Sequence, residues 1–99
     1  MSKFDQDVKN STTKITRVIF PRHVNHFHTL YGGTALKWID EVGFLTASRF
    51  SHQHVVTAST GPINFIEPIE EGSIITLKGQ IISVGTSSLK VQVLSLIHI

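Results

Sequence analysis

The sequence predicts an α+β domain in which one long amphipathic helix is covered by a curved antiparallel sheet. Three observations predict it. Helical periodicity runs from Thr34 to about Phe50, segments rich in β-branched and alternating residues stand on both sides of it, and Gly or Pro turn signals separate these segments. Ninety-nine residues suit one compact domain. A chain of this size buries roughly 60 to 65% of its unfolded surface, so its core is modest and pairing with a second copy would add to it.

Residues 1–13, MSKFDQDVKNSTT, are polar and read as a flexible N-terminal tail, with a single domain expected over 14–99. The tail lacks the apolar core of a signal peptide, and Asp5 and Asp7 argue against a transit peptide. KITRVIF (14–20) is β-branched and stops at Pro21, as a strand would. HVNHFHTLYGG (23–33) is a loop that packs three histidines, an asparagine and a glycine pair ahead of the helix. TALKWIDEVGFLTASRF follows, with Leu36, Ile39, Gly43, Ala47 and Phe50 forming one apolar stripe and Thr34 a candidate N-cap. Beyond SHQH, the runs VVTAST and INFI read as strands divided by Gly61-Pro62, and EPIEEGS reads as a turn. SIITLKGQIISV (73–84) alternates Ile75, Leu77 and Ile81 against Thr76, Lys78 and Gln80, as a half-solvated antiparallel strand should. Gly79 interrupts that alternation and marks either strong curvature or a close backbone approach. Gly85-Thr86 suits a tight hairpin, and SLKVQVLSLI returns as the next strand.

Composition narrows the classes of function. Hydrophobic residues at 40% against 16% charged indicate a globular chain, and the net charge of +2 comes from scattered Lys and Arg without a nucleic-acid patch. With no cysteine there is no disulfide, no thiolate nucleophile and no Cys-based zinc site. No apolar run approaches the ~20 residues that span a bilayer. The expected setting is cytoplasmic, with neither nucleic acid nor membrane as partner.

Two features point to chemistry. On the helix wheel Glu41 falls with Lys37 and Ser48 on the polar side, whereas Asp40 falls among Leu36, Gly43, Phe44 and Ala47 on the stripe expected to be buried. A carboxylate there is costly unless hydrogen-bonded, which makes it either a functional group or an edge residue that reaches water or a backbone donor. Gly43 costs the helix ~1 kcal/mol relative to alanine and so makes room, for a ligand or for a close helix-to-sheet contact. The second feature is the glycine pair. Amides at a helix start are unsatisfied and partly positive, and Gly32 and Gly33 would let a carbonyl approach them, forming an oxyanion hole. Asn25 could orient a water or a carbonyl, or could simply cap a Gly-Gly turn.

Taken in order, PRHVNHFHTLYGGTALKWIDE and VVTASTGPINFIEPIEEGSIITLKGQIISVGTSSLKVQV resemble the hotdog-fold acyl-CoA thioesterases of the Asn/Asp branch, over residues ~14 to 94. The resemblance implies hydrolysis of an acyl-CoA to a free acid and CoA, without metal or other cofactor. Asn25 then matches the active-site asparagine and Asp40 the catalytic aspartate. Gly33, with Gly32, matches the helix-start amides that polarise the thioester. Asp40 would act as general base on a water or attack directly to give a mixed anhydride. Asn64 and Phe65, of the NF-x-x-P element, and Gly85, Thr86 and Ser87, of VGTSS, would contact the substrate and CoA. In the family the asparagine and aspartate come from different subunits, so a homodimer or larger homo-oligomer is expected.

Two departures stand out. His28 occupies a position where the family usually has glycine, and it would be strained if that position needs a positive φ. Relatives also continue into a fifth strand, whereas this sequence stops at LSLIHI, which reads as a C-terminal truncation. The alternative functions are an inactive hotdog remnant that binds acyl-CoA without turnover, and a zinc site from His23, His26 and His28 with His52 and His54. Loop histidines without the spacing of a zinc motif favour plain polar loop residues, so no metal is expected. A hotdog dehydratase would use a helix histidine, and the helix from 34 to 50 has none.

Overall fold

A computed structural model of the chain describes residues 10–57, 61 and 68–98. Among these, one helix lies against one face of a three-stranded antiparallel sheet, the expected α+β build. Strand β1 spans Thr13–Val18, helix α1 Gly32–Ser51, strand β2 Ile74–Val84 and strand β3 Leu89–His98. The sheet order is β1-β2-β3, so β2 is paired along both edges. Val55–Thr57, the start of the VVTAST run, is not in a strand, and residues 58–60 and 62–67 lie outside the described residues.

Alternation along β2 decides which face meets the helix. Ile75, Leu77, Gly79 and Ile81 are buried, while Thr76, Lys78 and Gln80 between them are partly solvated, as the sequence pattern requires. The register places Ile15 beside Leu77 on one edge and Val93 beside Gly79 on the other, which extends the same apolar face across the sheet. A bulge between Ile81 and Ser83 shifts the register, after which Ser83 pairs with Lys90 and Val84 with Leu89. The β2–β3 turn is four residues long, closed by Gly85 N–H donating to Ser88 O at 2.7 Å, rather than the two-residue hairpin that Gly85-Thr86 suggested.

Gly79 is a point of close approach. A Cβ on it would lie 2.8 Å from Val42 Cγ1 and would collide with the Thr46 hydroxyl, so the helix rests directly on the β2 backbone there. Ile19, Trp38, Val42, Ile75 and Leu77 form the core around this contact. Thr46 is fully buried, and its hydroxyl donates to Val42 O at 2.7 Å, so it packs as an apolar residue would.

The phase of the helix differs from expectation. Its buried face is Ala35, Trp38, Val42, Thr46 and Ala47, not the stripe through Leu36 and Gly43. Trp38 and Asp40 are two residues apart, about 200° around the helix, so seating Trp38 on the sheet turns Asp40 away from it. Asp40 is exposed, and Leu36 and Phe44 are each 45% exposed. Glu41, expected on the polar side, instead flanks the sheet. It accepts from Arg17 Nη2 at 2.8 Å, with the guanidinium 5.7 Å from the Trp38 ring centroid. The helix is amphipathic in two directions, and the sheet takes only one.

Candidate active site

The loop before α1 is a small hairpin built from its own polar groups. Tyr31 N–H donates to His23 O at 2.8 Å and Asn25 N–H to Thr29 O at 2.9 Å, with Val24 bridging Leu30 between them. Asn25 Oδ1 accepts from Phe27 N–H at 2.9 Å, Thr29 N–H at 3.3 Å and Thr29 Oγ1 at 3.2 Å. An asparagine that holds its own turn in this way is the reason for the residue type here. These three donors also fix which end of the carboxamide is which. The oxygen is committed inward, and among the described residues the Nδ2 donors are not used.

His28 sits at φ 61, in the left-handed region where a side chain is disfavoured by about 1–2 kcal/mol. Two backbone bonds hold it there, His28 N–H to Asn25 O and Glu71 N–H to His28 O, each 3.0 Å. The positive φ is the conformation that a glycine would adopt at no cost, and this chain reaches it with a histidine. Leu30 N–H donates to Ile69 O at 2.6 Å, and Thr29 bridges Glu70, so the loop is zipped to the segment that leads into β2.

Helix α1 begins at Gly32, with Tyr31 as N-cap rather than Thr34, and no side chain caps it. The first intrahelical bond is Ala35 N–H to Tyr31 O at 3.1 Å, which leaves the amides of Gly32, Gly33 and Thr34 ahead of it. Among the described residues nothing would lie within 4 Å of a Cβ on Gly32, whereas one on Gly33 would press on the Tyr31 ring at 3.1 Å. These amides can therefore receive an anion or a carbonyl oxygen from outside, aided by the positive end of the helix dipole.

Asp40 stands two turns further along the helix, about 12 Å from Gly32 along its axis. Its Oδ1 accepts from Thr57 Oγ1 at 2.6 Å. Thr57, on the segment after α1, is the functional candidate that the sequence reading missed. Among the described residues Gly43, one turn on, has nothing within 4 Å of a Cβ position, so it makes no close contact with strands β1–β3. No hydrogen bond joins Asn25 or the helix-start amides to Asp40 among the described residues. The structure thus places Asn25 on the hairpin that runs into Gly32 and Gly33, and pairs Asp40 with Thr57 further along the helix. Gly85, Thr86 and Ser87 are exposed in the β2–β3 turn, and Asn64 and Phe65 lie outside the described residues.

The histidines have separate partners. The His23 ring packs edge-on against Trp38 at 5.0 Å, His26 packs against Phe27 at 4.0 Å, and His28 Nδ1 lies 3.5 Å from Glu71 Oε1. Among the described residues no three His, Cys, Asp or Glu gather as a metal site would need. No helix among them is long and apolar enough to cross a membrane.

The thioesterase superfamily profile matches residues 27–94. An uncharacterised acyl-CoA thioester hydrolase of Bacillus subtilis, YkhA, is 34% identical over 83 residues, which cover 84% of this chain and 48% of that protein. The Staphylococcus aureus acyl-CoA hydrolase, solved with butyryl coenzyme A, coenzyme A and coenzyme A disulfide, is 38% identical. It superposes with a TM-score of 0.88 over 91% of this chain and 55% of that one. The same hydrolase has also been solved with an aspartate, an asparagine or a threonine replaced by alanine. An apo-hexameric acyl-CoA thioesterase is 36% identical with a TM-score of 0.84, over 87% of this chain and 55% of that one. The chain therefore spans about half the length of the relatives it matches.

Proposed function

The chain belongs to the thioesterase superfamily and has the hotdog fold, and on that premise we propose that it hydrolyses acyl-CoA thioesters to a free carboxylic acid and CoA. One observation carries the reading. The three residues replaced in the Staphylococcus hydrolase run asparagine, aspartate, threonine, spaced 15 and then 17 residues apart, and Asn25, Asp40 and Thr57 repeat that order and both spacings. The hydrogen bond between Thr57 and Asp40 supports treating the last two as one unit.

In this reading the thioester carbonyl lies against the amides of Gly32 and Gly33, with Asn25 Nδ2 as a further donor. Charge that builds on the carbonyl oxygen as the carbon becomes tetrahedral is met by these fixed dipoles. Asp40 takes the proton from an attacking water, and collapse of the tetrahedral carbon breaks the C–S bond and passes that proton to the departing CoA thiolate. Alternatively Asp40 attacks the carbon, and the C–S bond breaks to release CoA thiolate. Water then opens the mixed anhydride to the acid and free Asp40, its proton going to the thiolate. Thr57 O–H orients the carboxylate by donating to Oδ1, which leaves Oδ2 for the reaction. The VGTSS turn, with Gly85, Thr86 and Ser87, and the Asn64-Phe65 pair are assigned to the CoA and acyl portions of the substrate.

The axial distance between Gly32 and Asp40 is too long for that carboxylate to attack a carbonyl held at its own helix start. Asp40 from a second copy would complete the site, and the exposed Leu36 and Phe44 beside it supply apolar surface for that pairing. A cytoplasmic homo-oligomer, at least a dimer, is the assembly we propose.

The test is release of free thiol from a panel of acyl-CoAs by the full chain and its Asp40→Asn variant, with EDTA present throughout. Asp40→Asn is expected to lower kcat by 10²-fold or more, in the range for loss of a general base, without lowering Tm. Equal rates from the two folded proteins would overturn the assignment. CoA binding by a folded, oligomeric parent with no turnover would identify a binding-only protein instead.

A further inference from the structure

We infer that His23 is a positioning residue, whose imidazole ties the Asn25 arm to the chain after β1 through its Nδ1 atom and to helix α1 through its ring face on Trp38. The inference rests on the reading of Asn25, Gly32 and Gly33 as donors to one carbonyl. His23 is anchored four ways. Its N–H donates to Phe20 O at 2.9 Å, and Phe20 N–H returns a bond to His23 Nδ1 at 3.0 Å, which closes the single 3₁₀ turn Pro21–His23. Its carbonyl accepts from Tyr31 N–H at 2.8 Å, and its ring meets the Trp38 ring edge-on at 5.0 Å.

Between them the anchors reach three elements. Phe20 follows β1, Tyr31 is the residue before Gly32, and Trp38 is the largest residue on the buried face of α1. Asn25 comes two residues after His23 on the same arm. Fixing His23 therefore fixes where Asn25 Nδ2 stands relative to the helix-start amides. A donor misplaced by an ångström still binds a carbonyl but no longer follows it into the tetrahedral geometry.

The acceptor role also sets the tautomer. Nδ1 can receive the Phe20 amide only when it carries no proton, so the ring hydrogen is on Nε2. Among the described residues two guanidiniums lie behind the aromatic rings that touch His23. Arg22 lies 4.7 Å over Phe20, and Arg17, paired with Glu41, lies 5.7 Å over Trp38.

The test compares His23→Asn with His23→Leu in the full chain. Asparagine keeps an acceptor one bond from Cγ, where Nδ1 stands, whereas leucine keeps bulk without it. His23→Leu is expected to lower kcat about tenfold or more with KM little changed, and His23→Asn to recover most of it. Amide exchange at Phe20, Asn25 and Tyr31 should be accelerated in His23→Leu and near parental in His23→Asn. Nitrogen NMR of the parent should show Nε2–H at His23. An Nδ1–H tautomer, or equal loss of amide protection in both variants, would overturn the inference even if leucine fails to fold. These two readouts need no turnover, so a parent without thioesterase activity would sink the functional reading while the exchange data still decide His23.

Discussion

Asn25 and Asp40, the two polar side chains on which the proposed chemistry depends, are held in opposite ways. Five hydrogen bonds within four residues of chain fix Asn25, two through its backbone and three through Oδ1. Among the described residues Asp40 has one side-chain bond, to Thr57, and exposed Leu36 and Phe44 beside it. The difference teaches which half of the site is finished within one chain. The asparagine arm is a closed hydrogen-bonded unit whose unused donor is already aimed by its neighbours. The aspartate sits on an apolar helix face that strands β1–β3 leave uncovered, the face on which the proposed second copy would dock.

If a second copy completes it, two dead variants should rescue each other. Asn25→Ala and Asp40→Ala homo-oligomers are each expected to be inactive to within ~1% of the parent. Co-expressed, they should regain about a quarter of parental activity, the share of sites that random pairing in a two-fold dimer leaves with both residues intact. A site built within one chain would give no recovery at all, because every chain in the mixture lacks one residue. Thiol release from the purified mixed oligomer reads the result.

The same contrast separates what the sequence made legible from what it hid. Strand β2 follows from alternation, β1 from a β-branched run that stops at Pro21, β3 from the hairpin signal before it, and the Asn25-Gly32-Gly33 arm from a short contiguous motif, because each of these signals is carried by neighbours along the chain. The phase of α1 was not legible, since the helix has apolar residues on two faces. The choice between them rests on the notch at Gly79 that accepts Val42 and Thr46 and on the area of Trp38. Thr46 can join the buried face because its hydroxyl is satisfied by Val42 O, a partner that exists only once the helix has formed. Thr57 lay in a run that reads as a strand, and nothing local links it to a carboxylate 17 residues earlier. His23 looked like one of three loop histidines until Phe20, Tyr31 and Trp38 converged on it.

A smaller change sharpens the Asn25 side of the comparison. Asn25→Asp keeps an oxygen for Phe27 N–H and Thr29 N–H but replaces the Nδ2 donor with a carboxylate oxygen. The arm should keep its amide protection, with Tm close to the parent's, while kcat/KM falls about 10²-fold, the scale of one lost oxyanion donor. Asn25→Ala should lose both the protection and the rate. A parental rate from Asn25→Asp would show that the residue serves the loop alone.

Thr57→Val gives the smallest effect, and it probes the single bond on which Asp40 depends. Valine keeps the shape and removes the O–H that donates to Oδ1 at 2.6 Å. The exposed carboxylate can turn to water, so its loss of order rather than of energy is what the reaction would feel. A hydrogen bond to a charged acceptor contributes about 1.5–3 kcal/mol in favourable settings, and exposure of both partners places this one at or below the lower end. A fall in kcat of about three- to tenfold with unchanged Tm is the expected outcome, and Thr57→Ser should recover it. A loss as large as that of Asp40→Asn would mean that Thr57 touches the substrate as well. No loss at all would mean that the partner surface, not Thr57, orients the carboxylate in the assembled enzyme.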